Sequence, residues 1–199
     1  NDNIRFFDHR REYARTNFEN QGLPREEWEA LLWQAKKLAD KAGHWRFCAP
    51  KKYGGKDGSN LWMAVIRDHF AQRGLGLHND LQNEHSIVGN FPFVAMFEHF
   101  GTPAQQQEFI LGGFEGTRRA AFGLTEPDHG SDATFMETRA VRETRDGVEG
   151  WLINGRKMWI TGMHTASHCA TFARTSGKDG DAKGISCFLV PNGIEGLTI

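Results

Sequence analysis

The order of patterns along the 199 residues predicts an α+β chain. An all-α N-terminal domain, residues 1–115, is followed by an antiparallel β-barrel-like domain, residues 116–199. Three observations carry that prediction. In the first half, apolar residues recur at three- and four-residue spacing between helix-capping residues. From about Gly116 the recurrence drops to two, with Asp146-Gly147 and Asn154-Gly155 as hairpin signals. Strands follow helices without alternating with them, which indicates segregated α and β parts and not a sheet of βαβ units. The boundary is expected near Phe114 to Thr117.

The elements are read in order. Pro24 in a first turn, acidic residues just after it and Gly43 beyond the last periodic residue frame a helix from Pro24 to Ala42. Its expected buried stripe is Trp28, Leu31, Leu32, Ala35, Leu38 and Ala39. Lys51 to Gly58 is a loop by its glycines, and Ser59 caps a helix from Asn60 to Gln72 that offers Leu61, Met63, Ala64, Val65 and Phe70 for burial. A further helix is expected over Leu77 to Val88, another over Phe91 to Phe100 with Pro92 in its first turn. Thr102, Pro103 and Gln105 make a capping-box start for a short helix ending at Gly112-Gly113. The strands are expected at Arg119–Leu124, Met136–Val141, Trp151–Thr161, Cys169–Thr175 and Ile185–Val190. Pro191-Asn192-Gly193 then turns the chain toward Leu197–Ile199, where it stops while entering a strand, so the β domain is expected to be incomplete at that end.

Composition limits the partners. Hydrophobic content of 39% and charged content of 25% are those of an ordinary soluble protein. A formal net charge of −1 gives no electrostatic reason to expect nucleic acid or an anionic membrane. Cys48, Cys169 and Cys187 are odd in number and form no C-x-x-C, which argues against a disulfide framework or zinc site and for a reducing compartment. The longest apolar run, around Phe91 to Phe97, is too short to span a bilayer. Asn1 carries neither an initiator Met nor a signal-peptide pattern, which leaves a leader upstream open. His164 and His168 have a metal-like spacing but sit in a loop entering a strand, where they do not share a face, and no metal is expected.

Chemistry concentrates in Ala120–Asp132 and Lys157–Gly162. The first is a short apolar strand running into a loop rich in hydroxyls and carboxylates, with Pro127 and Gly130 to tighten it. In the second, Trp159 and Thr161 alternate on a strand and so project together, a flat apolar surface beside a donor. A planar heterocycle with a polar edge would use such a pair; a core Trp beside a strand-end Thr is the plainer alternative. Glu126, Asp128 and Asp132 read as solvated or capping acids, and Thr125 and Ser131 have turn stabilisation as an alternative role.

Phe122-Gly-Leu-Thr-Glu-Pro-Asp-His-Gly-Ser-Asp132, followed by Ile153-Asn-Gly-Arg-Lys-Met-Trp-Ile-Thr161, resembles the two signatures of the acyl-CoA dehydrogenase family of flavoenzymes. The resemblance covers the first two of the family's three domains; its C-terminal helical bundle is missing from the chain. It implies FAD as cofactor. The implied cofactor-binding residues are Phe122, Gly123, Leu124, Thr125, Gly130, Ser131, Trp159, Ile160 and Thr161. The backbone around Phe122 and Leu124 and the backbone and hydroxyl of Thr125 would meet the pyrimidine edge. Thr161 would meet N5, and Trp159 would pack on the rings. Ser131 would lie near cofactor and substrate alike.

The implied reaction is α,β-dehydrogenation of an acyl-CoA thioester, an activity of fatty acid metabolism, with hydride passing to flavin N5. The alternative is an acyl-CoA oxidase, or a relative acting on a non-CoA substrate with oxygen as acceptor. The family's base is a Glu of the C-terminal domain, so no catalytic residue is assigned here and residues 1–199 alone are expected to be inactive. An electron-transfer flavoprotein or oxygen is the expected acceptor, a homo-oligomer the expected full-length state, and cytoplasm or mitochondrial matrix the expected location. A DNA-associated binding module of the same fold fits the near-neutral charge poorly. His129 stands where many members have a small residue, and Gly162-Met163 where many have Asn after the Thr. The helical stretch Leu77 to Val88, with Gln82, His85 and Ser86, falls where the family lines the acyl pocket, with no single acyl contact assigned and ordinary interhelical packing as the alternative.

Overall fold

The computed structural model describes residues 16–72, 88–89 and 91–199. Two compact units divide between Thr117 and Arg118.

In the first unit a two-residue bridge pairs β1, Thr16–Asn17, with β2, Leu23–Pro24. Pro24 is therefore used in the bridge, and helix α1 runs Glu26–Lys41, later than the predicted start. Three glutamates in its first turn and Lys41 in its last complement the helix dipole. Trp28, Leu32, Lys36 and Ala39 are its buried residues, whereas Leu38 is exposed. At about 100° per residue Leu38 lies roughly a quarter turn from that row. Lys36 is admitted because its ammonium sits 4.9 Å over the Trp45 ring.

Helix α2, Asn60–Gln72, starts as predicted, with the Trp62 amide donating to Ser59 Oγ at 3.3 Å. Of its five predicted core residues only Met63 is buried; Leu61, Ala64 and Val65 face outward. The predicted Leu77–Val88 helix, with Gln82, His85 and Ser86, lies outside the described residues apart from Val88. Helix α3, Pro92–Phe100, has its proline at the first turn as expected. Helix α4 comprises Pro103–Gln105, a π-helical turn Gln106–Leu111, and Gly112–Glu115. Its capping box is present: the Thr102 amide donates to Gln105 Oε1 at 2.9 Å and the Gln105 amide to Thr102 Oγ1 at 3.3 Å. The predicted stop at Gly112-Gly113 is overturned. The helix ends instead at Gly116, with φ of 75°, where an added Cβ would lie 2.5 Å from the Trp33 ring. Phe97 stacks on Phe109 at 4.8 Å, and Trp45 bonds the Phe114 carbonyl at 3.1 Å.

The second unit contains β3, Ala120–Gly123; β4, Arg139–Arg145; β5, Val148–Asn154; β6, His168–Arg174; and β7, Ile185–Pro191. The predicted antiparallel barrel is not what forms. β3 runs parallel to β6 over Ala120–Gly123, β4 meets β6 in parallel at Arg139↔Arg174, and β7 pairs with β6 antiparallel. The sheet is mixed and open, because β6 is its hub while β5 and β7 each pair with one strand. The Asp146-Gly147 hairpin joins β4 and β5 as predicted, both turn residues at positive φ. The second predicted hairpin is absent: beyond Asn154 the chain leaves the sheet, and Gly155–Ile160 is irregular. Leu197–Ile199 is likewise not a strand. Two contacts direct the departure after Asn154. Gly155 lies against Thr138, leaving no room for a side chain, and the Met158 amide donates to the Thr125 carbonyl at 2.9 Å.

Candidate functional site

The site is assembled entirely within the second unit, where β3 delivers the chain into the loop that follows Gly123. The core beneath it consists of Ala121, Ala166 and Cys169, with Ile160 and Met163 packed against them. Gly123 is glycine for a packing reason, since an added Cβ would lie 2.7 Å from Cys169 Sγ. Phe122 points to the opposite face of the strand, half-exposed, its ring 4.9 Å from that of Phe172.

The loop folds around a buried carboxylate. Glu126 is 4% exposed. It accepts from the amides of Glu137 and Thr138, and from Lys157 Nζ at 2.7 Å. Burial alone would raise its pKa; the Lys157 ammonium and the backbone amides outweigh burial and hold the carboxyl at about 2. The Lys157 ammonium also donates to the Leu124 carbonyl at 3.1 Å. Together with the Met158–Thr125 bond, these contacts fasten the two sequence motifs to each other at Leu124, Thr125 and Glu126. Glu126 is thus neither a solvated nor a capping acid. Asp132 is a cap: its carboxylate accepts from the amide and hydroxyl of Thr134. His129 is half-buried, its ring stacked near Phe135 and its Nε2 3.6 Å from Glu137 Oε1.

Above this anchor the polar groups are unspent. Among the described residues neither the amide nor the hydroxyl of Thr125 donates a hydrogen bond within the chain. Ser131 and Gly130 are exposed, and an added Cβ at Gly130 would meet nothing within 4 Å. The tight turn falls earlier, where Glu126 and His129 exchange backbone bonds of 3.1 and 3.4 Å.

Trp159 and Thr161 are not on a strand, contrary to the sequence reading; they are exposed for another reason. Ile160 is turned into the core, and the residues on either side are left outside. Trp159 is 84% exposed and sits at φ of 59°, a left-handed conformation that costs a bulky residue roughly 1–2 kcal/mol. A large aromatic held outward on a strained backbone beside a free amide and hydroxyls suits a flat ligand with a polar rim.

A second feature escaped the sequence reading. Arg174, 3% exposed, donates to the carbonyls of Thr134, Ser176, Asp181 and Lys183. It ties the hydrophilic tip after β6 to the end of the Thr125–Asp132 loop. Its only sequence signal is a charge in an otherwise largely apolar strand; Lys157, next to Arg156 in a mixed motif, carries no such signal.

Residues 121–199 match the model of the acyl-CoA dehydrogenase middle domain. The chain belongs to the acyl-CoA dehydrogenase family. It is 32% identical over 197 residues to the mitochondrial long-chain specific acyl-CoA dehydrogenase of Rattus norvegicus, covering 94% of this chain and 42% of that protein. It is 31% identical over 163 residues to the 3-(aryl)acrylate reductase of Clostridium sporogenes, covering 82% of this chain and 40% of that one. Among solved structures it is similar to a glutaryl-CoA dehydrogenase from Mycobacterium smegmatis in complex with FADH2. There the TM-score is 0.56 and identity 29%, covering 85% of this chain and 42% of the other. The chain spans less than half the length of these relatives. Among the described residues no group of three or more His, Cys, Asp or Glu could hold a metal ion, and no helix is long and apolar enough to cross a membrane.

Proposed function

We propose that this chain supplies the cofactor wall of an FAD-dependent oxidoreductase that dehydrogenates an acyl-CoA thioester between its α- and β-carbons. The observation that carries the reading is the pairing of an unspent Thr125 amide and hydroxyl with an outward-held Trp159, on two motifs fastened by the Glu126–Lys157 pair. The relatives' names fit it, one being a dehydrogenase structure that contains FADH2. Bound there, the flavin would take up at N5 the hydride that leaves the β-carbon.

The chain's own residues do the rest. Thr125 would present donors to the pyrimidine edge from a backbone that does not reorganise. Trp159 would cover the ring system and keep water from it, and the Thr161 hydroxyl would meet the N5 side. The backbone around Phe122, Gly123 and Leu124 lines the same edge, Ile160 sets the position of its neighbours from the core, and Gly130 leaves room beside Ser131 for the thioester's CoA portion. The α-proton goes to a base outside these 199 residues. Glu126 and Asp132 do not compete for that task, because Glu126 is held as a paired anion and Asp132 is a cap. The electrons would be handed on to a carrier flavoprotein, in a full-length homo-oligomer.

The test is made on the full-length protein. It is expected to be purified yellow, to bleach when acyl-CoA is added anaerobically, and to bind FAD at least tenfold less tightly after Trp159→Ala. A colourless protein that takes up no added FAD overturns the proposal. Peroxide release at the rate of substrate turnover would move the assignment to an oxidase, and residues 1–199 alone should not turn over.

A further inference from the structure

The Leu124 carbonyl and the Thr125 N–H belong to one peptide group, and the two ends of that group have different company. The carbonyl accepts from the Lys157 ammonium at 3.1 Å, while the N–H donates to nothing within the described chain. A cation on a peptide oxygen draws electron density through the C–N bond and makes the N–H at the other end a stronger donor. Lys157 is 11% exposed, so water screens this effect little. The next peptide is fixed as well, its carbonyl held by the Met158 amide at 2.9 Å. The donor therefore cannot swing away when charge appears in front of it.

We infer that Lys157 is a positioning residue that polarises the Leu124–Thr125 peptide, so that the Thr125 N–H favours the reduced, more anionic flavin over the oxidised one and raises the cofactor's reduction potential. This rests on the proposal that FAD lies against Thr125. Glu126 has the complementary task. As the counter-anion it compensates the ammonium and aims it, with its other oxygen engaged by the Glu137 amide. Lys157 touches neither cofactor nor substrate in this account; it acts through a backbone amide.

The experiment is a reductive titration of the full-length holoenzyme against a reference dye. Removing the lysine alone would strand a buried carboxylate, so the decisive variant is the double Glu126→Gln/Lys157→Met, which is neutral at both positions. It is expected to bind reduced relative to oxidised FAD about tenfold less well than wild type, which for a two-electron couple lowers the potential by about 30 mV. Lys157→Arg keeps a cation and donors there and is expected to restore most of the difference, which a purely structural role does not predict. Should that variant not retain FAD, Glu126→Gln/Lys157→Gln carries the test: it keeps a donor for the Leu124 carbonyl without either charge, and a wild-type potential in it overturns the inference. An unmoved potential in a flavin-loaded double variant also overturns it and leaves the proposed function standing. Wild-type protein that binds no FAD removes both.

Discussion

Replacing Glu126 by Gln tests the anchor directly, since it alters few atoms and removes one buried charge. The carboxyl's pKa falls from 4.5 to about 2 in the folded chain. At about 1.4 kcal/mol per pH unit, that is about 3 kcal/mol favouring the folded anion at neutral pH. The figure agrees with the roughly 3–5 kcal/mol cost of breaking a buried pair by removing one partner, here leaving the Lys157 ammonium uncompensated. The sign follows from the depressed pKa. The stabilisation is complete above the unfolded value of 4.5 and is lost as pH falls through about 2. At pH 3 roughly half of it remains. Urea unfolding followed by tryptophan fluorescence, wild type beside Glu126→Gln at one protein concentration, should show a gap of about 3 kcal/mol at pH 7 that narrows to roughly half at pH 3. A gap that is absent at pH 7, or that does not narrow in acid, would refute the buried-anion account.

Two further outcomes follow from other contacts. Arg174→Met removes donors from four carbonyls and should speed amide hydrogen exchange across residues 176–184 and 132–136 while leaving β4 and β5 protected. Arg174→Lys should recover only part of that protection, because an ammonium cannot reproduce the guanidinium fork. Gly155→Ala would bring a Cβ to 2.2 Å from Thr138 Oγ1, and the displacement should cost about 1–3 kcal/mol, visible as a lowered thermal midpoint. An unchanged midpoint would show that Gly155 is not packed as described.

Much of the chain was determined by the sequence alone, because local chemistry suffices for it. The capping box at Thr102, the proline at the start of α3, the Asp146-Gly147 hairpin and the extents of β6 and β7 each depend on residues a few positions apart. The family likewise follows from two contiguous strings. Tertiary structure decided what local spacing cannot express. Periodicity placed Leu38 and Val65 inward, but which side of a helix meets a partner depends on the partner, and Lys36 took a buried place by lying on Trp45. Alternation predicted a strand through Trp159, yet bonds from Met158 and Lys157 to residues more than thirty positions away outweighed it. The parallel pairings that open the sheet arise the same way, between segments distant in sequence. Glu126 shows the difference most plainly: a carboxylate in a polar loop is an ordinary solvated acid by composition. Only the arrival of an ammonium and two amides from elsewhere in the chain makes it a buried anion around which the site is built.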